Sequence, residues 1–144
     1  MTRRTLLVLA SGAAMLAAVF WAIAASKPLT WVEPPAYDYS VRFRCGMEFP
    51  PGQYTVTVAG GAVSGVVADD AFSQEVMRVR KLRPENLPTL GDLDEIYRKA
   101  RDHGADVATI SRDHADGHPT RIRVDYRDEF LDDEYCFDIV RYRA

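Results

Sequence analysis

From Tyr37 onward the chain alternates. Tyr37, Tyr39, Val41, Phe43 and Cys45 fall on one side of an extended backbone, and Asp38, Ser40, Arg42 and Arg44 fall on the other. A period of two with one apolar side marks a half-buried strand. Residues 46–52 break the pattern with two glycines and two prolines, and it resumes with Tyr54, Val56 and Val58 set against Thr55 and Thr57. Gly60-Gly61 then offers the positive φ angles of a tight hairpin, and Val63 to Val67 returns as its second arm. Later the period lengthens. Leu90, Leu93, Ile96, Tyr97 and Ala100 recur at helical spacing behind Thr89, a good N-cap with Asp92 three residues on. Asp92, Asp94 and Glu95 sit in the early turns, Arg98, Lys99 and Arg101 in the late ones, and Gly104 ends the helix. Three further strands follow, over 107–111, 120–126 and 134–142.

Between hairpin and helix the reading divides. Residues 69–87 fit either an edge strand near Val76 to Arg80 or a long loop, with Arg78, Arg80, Lys81 and Arg83 as a basic cluster. That cluster is either a solvated linker or a docking patch for an acidic partner. Three strands, a helix and three strands, joined by hairpin turns, predict an α+β domain. Its antiparallel sheet should have five or six strands, with one helix packed on one face.

The first residues follow a different rule. Behind Arg3 and Arg4, Thr5 to Ala25 runs for 21 residues without a charge, with Trp21 near its end. Two flanking arginines before an uncharged run hold the N-terminus inside and send the body of the protein out. Residues 1–26 are therefore expected to be a signal peptide or an N-terminal membrane anchor, residues 27–36 a short tether, and 37–144 one domain. Ala22-Ile23-Ala24 fits a signal-peptidase site, whereas the length of the run suits an anchor, so cleavage and retention both stand. The protein is expected to be exported, periplasmic or extracellular, touching membrane only through 5–25 if that segment is kept.

Charge narrows the partners. Removing Arg3 and Arg4 from the 18 basic residues leaves 16 against 21 acidic, a net charge of −5. Such a domain suits neither nucleic acid nor an anionic lipid surface, both of which need clustered cations. The two cysteines, Cys45 and Cys136, suit a disulfide in an oxidising compartment. Strand parity opposes it, because Cys45 falls on the core side of its strand and Cys136 falls opposite in parity to Tyr135 and Phe137. A bridge and two separate thiols both remain open.

Three groups of residues invite chemistry. His103, His114 and His118 lie near Asp113 and Asp116, and His114, Asp116 and His118 would suit a divalent metal ion. They also fit a plain Gly-Pro turn between strands. Asp125 to Glu134 holds six carboxylates in ten residues, without calcium-loop spacing and with Phe130 and Leu131 in its middle. A solvated loop with one of those side chains tucked inward accounts for it. The third group is the polar side of the strands: Arg42, Arg44, Arg121 and Arg123, with Asp38, Ser40, Asp125 and Asp138. These residues would either pair across strands or present planar guanidinium groups to a carboxylate-bearing partner. No nucleophile motif, Cys-His pair or phosphate loop is present, so no enzyme activity and no cofactor are expected.

A series of short motifs carries a resemblance. Tyr37-Asp-Tyr-Ser40 leads to Cys45, and Val56-Thr-Val-Ala-Gly-Gly-Ala-Val63 forms the hairpin. Leu87-Pro-Thr-Leu-Gly-Asp-Leu93 opens the helix, Gly117-His-Pro-Thr120 leads to Val124-Asp125-Tyr126, and Asp132-Asp-Glu134 precedes a strand ending Tyr142-Arg143. Across about residues 31 to 144 the chain resembles the bacterial exported proteins and lipoproteins grouped as domain of unknown function six-one-seven-four. Two departures stand out. The lipid-attachment cysteine of family lipoproteins is missing, and His118 stands where an aromatic residue is more usual. The resemblance implies export and a fold, and no activity. The function expected is a non-catalytic module that binds an envelope protein or another cell-envelope component, through the sheet face or through 69–87. The alternative is a small-ligand or metal-binding protein using the His114/His118 turn.

Overall fold

The computed structural model describes residues 31–127 and 134–144. The expected signal or anchor segment, tether residues 27–30, and Phe130, Leu131, Asp132 and Asp133 lie outside the described residues.

Tyr37, Tyr39, Val41 and Phe43 do line up on one side of a strand, β1 (Ala36–Phe43), and all four are buried. β2 (Gly52–Ala59) pairs antiparallel with β1, and β3 (Ala62–Ala68) pairs with β2 across Gly60 and Gly61 at φ +64° and +76°. After the helices come β4 (Val107–Arg112), β5 (Pro119–Asp125) and β6 (Glu134–Arg143). The last strand closes on the first. The sheet order is β3-β2-β1-β6-β5-β4 with every neighbouring pair antiparallel, so two meanders meet at β1 and β6. The core lies on the side carrying Tyr39, Val41, Tyr54, Val56, Ile122 and Phe137.

The sheet is as expected at six strands, but the helices are not. Among the described residues there are two, and strands dominate. Residues 71–80 form neither strand nor loop. They make helix α1 (Ala71–Arg80), capped by Asp70, whose side chain accepts from Ser73 N at 2.7 Å. Lys81 ends it in the left-handed conformation at φ +52°. A short 3-10 turn (Pro84–Asn86) leads to helix α2 (Leu90–Asp102). Here the expected cap is in place: Thr89 Oγ1 accepts from Asp92 N at 3.1 Å, and Asp92 accepts from Thr89 N at 2.8 Å. Leu90, Leu93 and Ala100 carry α2 into the core, and Met77 of α1 packs against it.

The described part of the tether is not free of the domain. Trp31 packs against the core, and Glu33 accepts from Gly91 N at 2.9 Å and from the Tyr37 hydroxyl. A Cβ at position 91 would stand 2.0 Å from the Glu33 carboxylate, so glycine permits this approach to the first turn of α2. Tyr37 in turn accepts from Leu90 N at 2.8 Å, and Tyr39 donates to the Pro88 carbonyl. The bonds from Leu90 N and Gly91 N satisfy N–H groups that a helix start leaves without partners.

Cys45 and Cys136 are joined. Strand parity misleads here because β1 ends at Phe43 and Gly46 turns the chain at φ +82°. Cys45 therefore stands outside the alternation and comes round to Cys136, with Cα atoms 5.2 Å apart.

Candidate binding face

The side of the sheet away from the core is polar across its middle strands, with Val67 and Val107 exposed at its two edges. Register places Arg42 opposite Asp138, and Asp138 opposite Arg121, so a single carboxylate stands in the middle of a row. Arg121 Nε and Arg123 Nη2 each donate to Asp138 Oδ1 at 3.0 Å, and Arg44 Nε reaches Oδ2 at 2.9 Å. One acid thus serves three cations. Its side chain is 14 % exposed, while those of Arg44 and Arg121 are 54 % and 63 % exposed. Burial opposes ionisation of Asp138. The Arg121 and Arg123 hydrogen bonds, with the nearby charge of Arg44, outweigh it and hold the carboxyl below the usual aspartate range.

Arg42 has no share in this carboxylate. Its Nε and Nη2 donate to the Gln53 amide oxygen at 3.1 and 2.7 Å, and Gln53 Nε2 passes the network on to Asp69 at 3.1 Å. The four arginines expected on one face do share it, three gathered on Asp138 and the fourth on a neutral amide. Asp38 accepts from Thr57 Oγ1 at 2.7 Å on the same face. Ser40 is buried by its neighbours, bonded to Thr55 Oγ1 at 2.9 Å.

One member was not legible. Arg141 Nη2 donates to Ser40 Oγ at 3.1 Å and Thr55 Oγ1 at 3.3 Å, although alternation from Asp138 puts residue 141 on the opposite side. The β1–β6 register shifts between Ser40 and Val41, so that Val41 pairs with Ile139 and Ser40 with Arg141. The unpaired residue, Val140, is the extra one that turns Arg141 outward, and nothing in the local sequence marks it. Beside the bulge, Ser40, Gln53, Asp69, Val140 and Arg141 enclose a shallow depression of about 430 Å³.

The histidine turn is built differently from the expectation. His114 is exposed and takes no part in the cluster, whereas Asp113, Asp116 and His118 bring ligand-type atoms within 4.8 Å of one another. Each of these atoms already shapes the turn. Asp113 Oδ1 accepts from Ala115 N at 2.7 Å, and Asp116 Oδ1 accepts from His118 N at 3.1 Å and lies 2.5 Å from His118 Nδ1. Burial opposes the Asp116 charge, but the bonds from His118 keep its carboxyl below the usual range. The His118 ring stacks on Tyr142, with centroids 4.3 Å apart. A planar ring at position 118 suits that contact.

The described acids at either end of the Asp125–Glu134 run, Asp125 and Glu134, stand opposite one another on β5 and β6. Among the described residues no helix is long and apolar enough to cross a membrane.

The Gly60-Gly61 hairpin, the Thr89 cap and the Gly117-His118-Pro119 turn stand where the motif series places them. A family profile matches residues 25–144. The chain belongs to a family of unknown function, DUF6174. No curated protein and no solved structure matches it. The DUF6174 match spans every described element, and it brings no activity with it, so the face must be read by its own chemistry. Guanidinium groups do not give up protons near neutral pH, and their donors fit carboxylates in plane.

Proposed function

We propose that this DUF6174 domain is a non-catalytic binding module of an exported protein, which holds a carboxylate-bearing envelope partner against the outer face of its sheet. The observation that carries the reading is the ratio at Asp138, one carboxylate to three arginines with two of them more than half exposed. Arg42 and Arg141 add two cations whose hydrogen bonds go to neutral oxygens on the same face, with the Asp70 carboxylate near Arg42. A partner's carboxylates would meet donors already held in a plane by cross-strand bonds, so little side-chain freedom is lost on binding. Export is supported by the uncharged run behind Arg3 and Arg4, and by a disulfide, which is stable in oxidising compartments.

The test uses the full chain and an Arg42→Ser/Arg121→Ser variant, which leaves Arg44 and Arg123 on Asp138 and so keeps the sheet bridged. Capture from cross-linked envelopes should be saturable, weaken with added salt, and fall by about tenfold or more in the variant. Equal capture by a variant with an unchanged circular-dichroism spectrum, or no saturable capture by the native chain, would overturn the reading.

A further inference from the structure

Helix α1 buries one residue of its ten, Ser73. Its larger apolar side chains are not all turned to the core: Phe72, Val76 and Val79 recur at i, i+4 and i+7, which places them on one side. Phe72 and Val79 are each 61 % exposed. A surface helix normally spends such residues on its buried face, so a stripe of them facing solvent marks a contact surface.

The stripe runs on into the arginine face. Pro51 flanks Val76 and Val79 across a depression of about 190 Å³, where Glu75 and Arg80 form the rim. Pro51 also borders a second depression of about 280 Å³ together with Phe72, Arg42 and Arg44. The strip thus begins at Arg42 and Arg44, crosses Phe72, Pro51, Val76 and Val79, and ends at Arg80. Its carboxylates are engaged. Asp70 caps α1, Glu75 holds Arg78 through both oxygens at 2.9 and 2.5 Å, and Asp138 holds Arg44. Cations at both ends and apolar side chains between them define the complement.

We propose that this strip docks an amphipathic helix of a protein partner whose apolar side faces Phe72, Val76 and Val79 and whose acidic residues, one group at each end, meet Arg42 with Arg44 and Arg80. The stripe covers about 10 Å of helix axis, two turns, which suits the helix-in-groove mode with anchors three and four residues apart. An anionic membrane is the poorer occupant, because an extended surface meets the whole chain, which carries −3, whereas a short helix meets the strip alone. The proposal rests on the reading of the outer face as a binding surface, since Arg42 and Arg44 belong to both.

The probe is a displayed peptide set of about 15 residues, long enough to hold a helix. Apolar residues are varied at i, i+3, i+4 and i+7 between acidic flanks, and two control sets carry lysine flanks or serine at the apolar positions. The full chain should select peptides from the first set alone. Phe72→Ser/Val79→Ser should weaken the selected peptide by about tenfold or more, with an unchanged thermal midpoint. Selection of the lysine-flanked set, no selection from any set, or undiminished binding by the Phe72/Val79 variant would each overturn the proposal. So would loss by that variant of binding to phosphatidylglycerol vesicles, which would make the stripe a membrane contact. Envelope capture separates the two readings. If Arg42→Ser/Arg121→Ser abolishes capture and Phe72→Ser/Val79→Ser does not, the face stands and the strip falls; if neither variant matters, both fall.

Discussion

At Asp138 one side chain decides how three others behave. Arg44, Arg121 and Arg123 stand close together on neighbouring strands, and without the carboxylate between them their charges would repel. Asp138→Asn keeps the shape and removes the charge. It should lower the unfolding free energy by about 1–2 kcal/mol in urea titrations, because three charge-assisted contacts are lost at a partly buried site. The pH dependence has a definite sign. The folded carboxyl is depressed below its ordinary 3.8, so the unfolded chain binds that proton more readily. Its contribution is full above about pH 5 and is lost as the pH falls through the depressed folded value, and Asp138→Asn should flatten the stability profile in that acid range. The arginines were legible because alternation alone assigns a face. That three of them would converge on Asp138 was not, since it depends on which strands become neighbours, and β6 reaches β1 only through the whole fold.

Among the elements, the legible ones were those whose signals are local. Gly60-Gly61 fixes a hairpin by backbone freedom, and Thr89 with Asp92 fixes a helix start by two reciprocal hydrogen bonds. Helix α1 escaped because its apolar residues face the wrong way for the usual rule: Phe72, Val76 and Val79 lie outside, while a serine lies beneath. The signal that could have found it is Asp70, a good cap three residues before Ser73. Ser73 is the bolt of this element, its Oγ accepting from Gln53 N at 2.8 Å where β2 begins. Ser73→Ala leaves that N–H without its partner and should cost about 1–2 kcal/mol of unfolding free energy by chemical denaturation. A cost near zero would mean that water takes the vacated position.

The sheet as a whole is two three-stranded meanders joined at β1 and β6, and the Cys45–Cys136 bridge clamps that joint across 91 residues of sequence. Reducing it, or replacing both cysteines with serine, should lower stability by about 2–4 kcal/mol, read as a fall in thermal midpoint on adding a phosphine reductant to the native chain and no fall in the double variant. The joint also sets an order in time. β1 is the first of the described strands to be synthesised, and its partner β6 is the last. Through that interval the row of N–H and C=O groups on one edge of β1 has nothing to pair with, on a strand whose side chains include Tyr39, Val41 and Phe43. Pairings this distant in sequence close slowly, and a bare apolar edge invites intermolecular pairing meanwhile. Chains truncated before Glu134 should therefore aggregate rather than stay partly folded, and a newly made chain has most need of a holding chaperone in the moments before its final strand arrives.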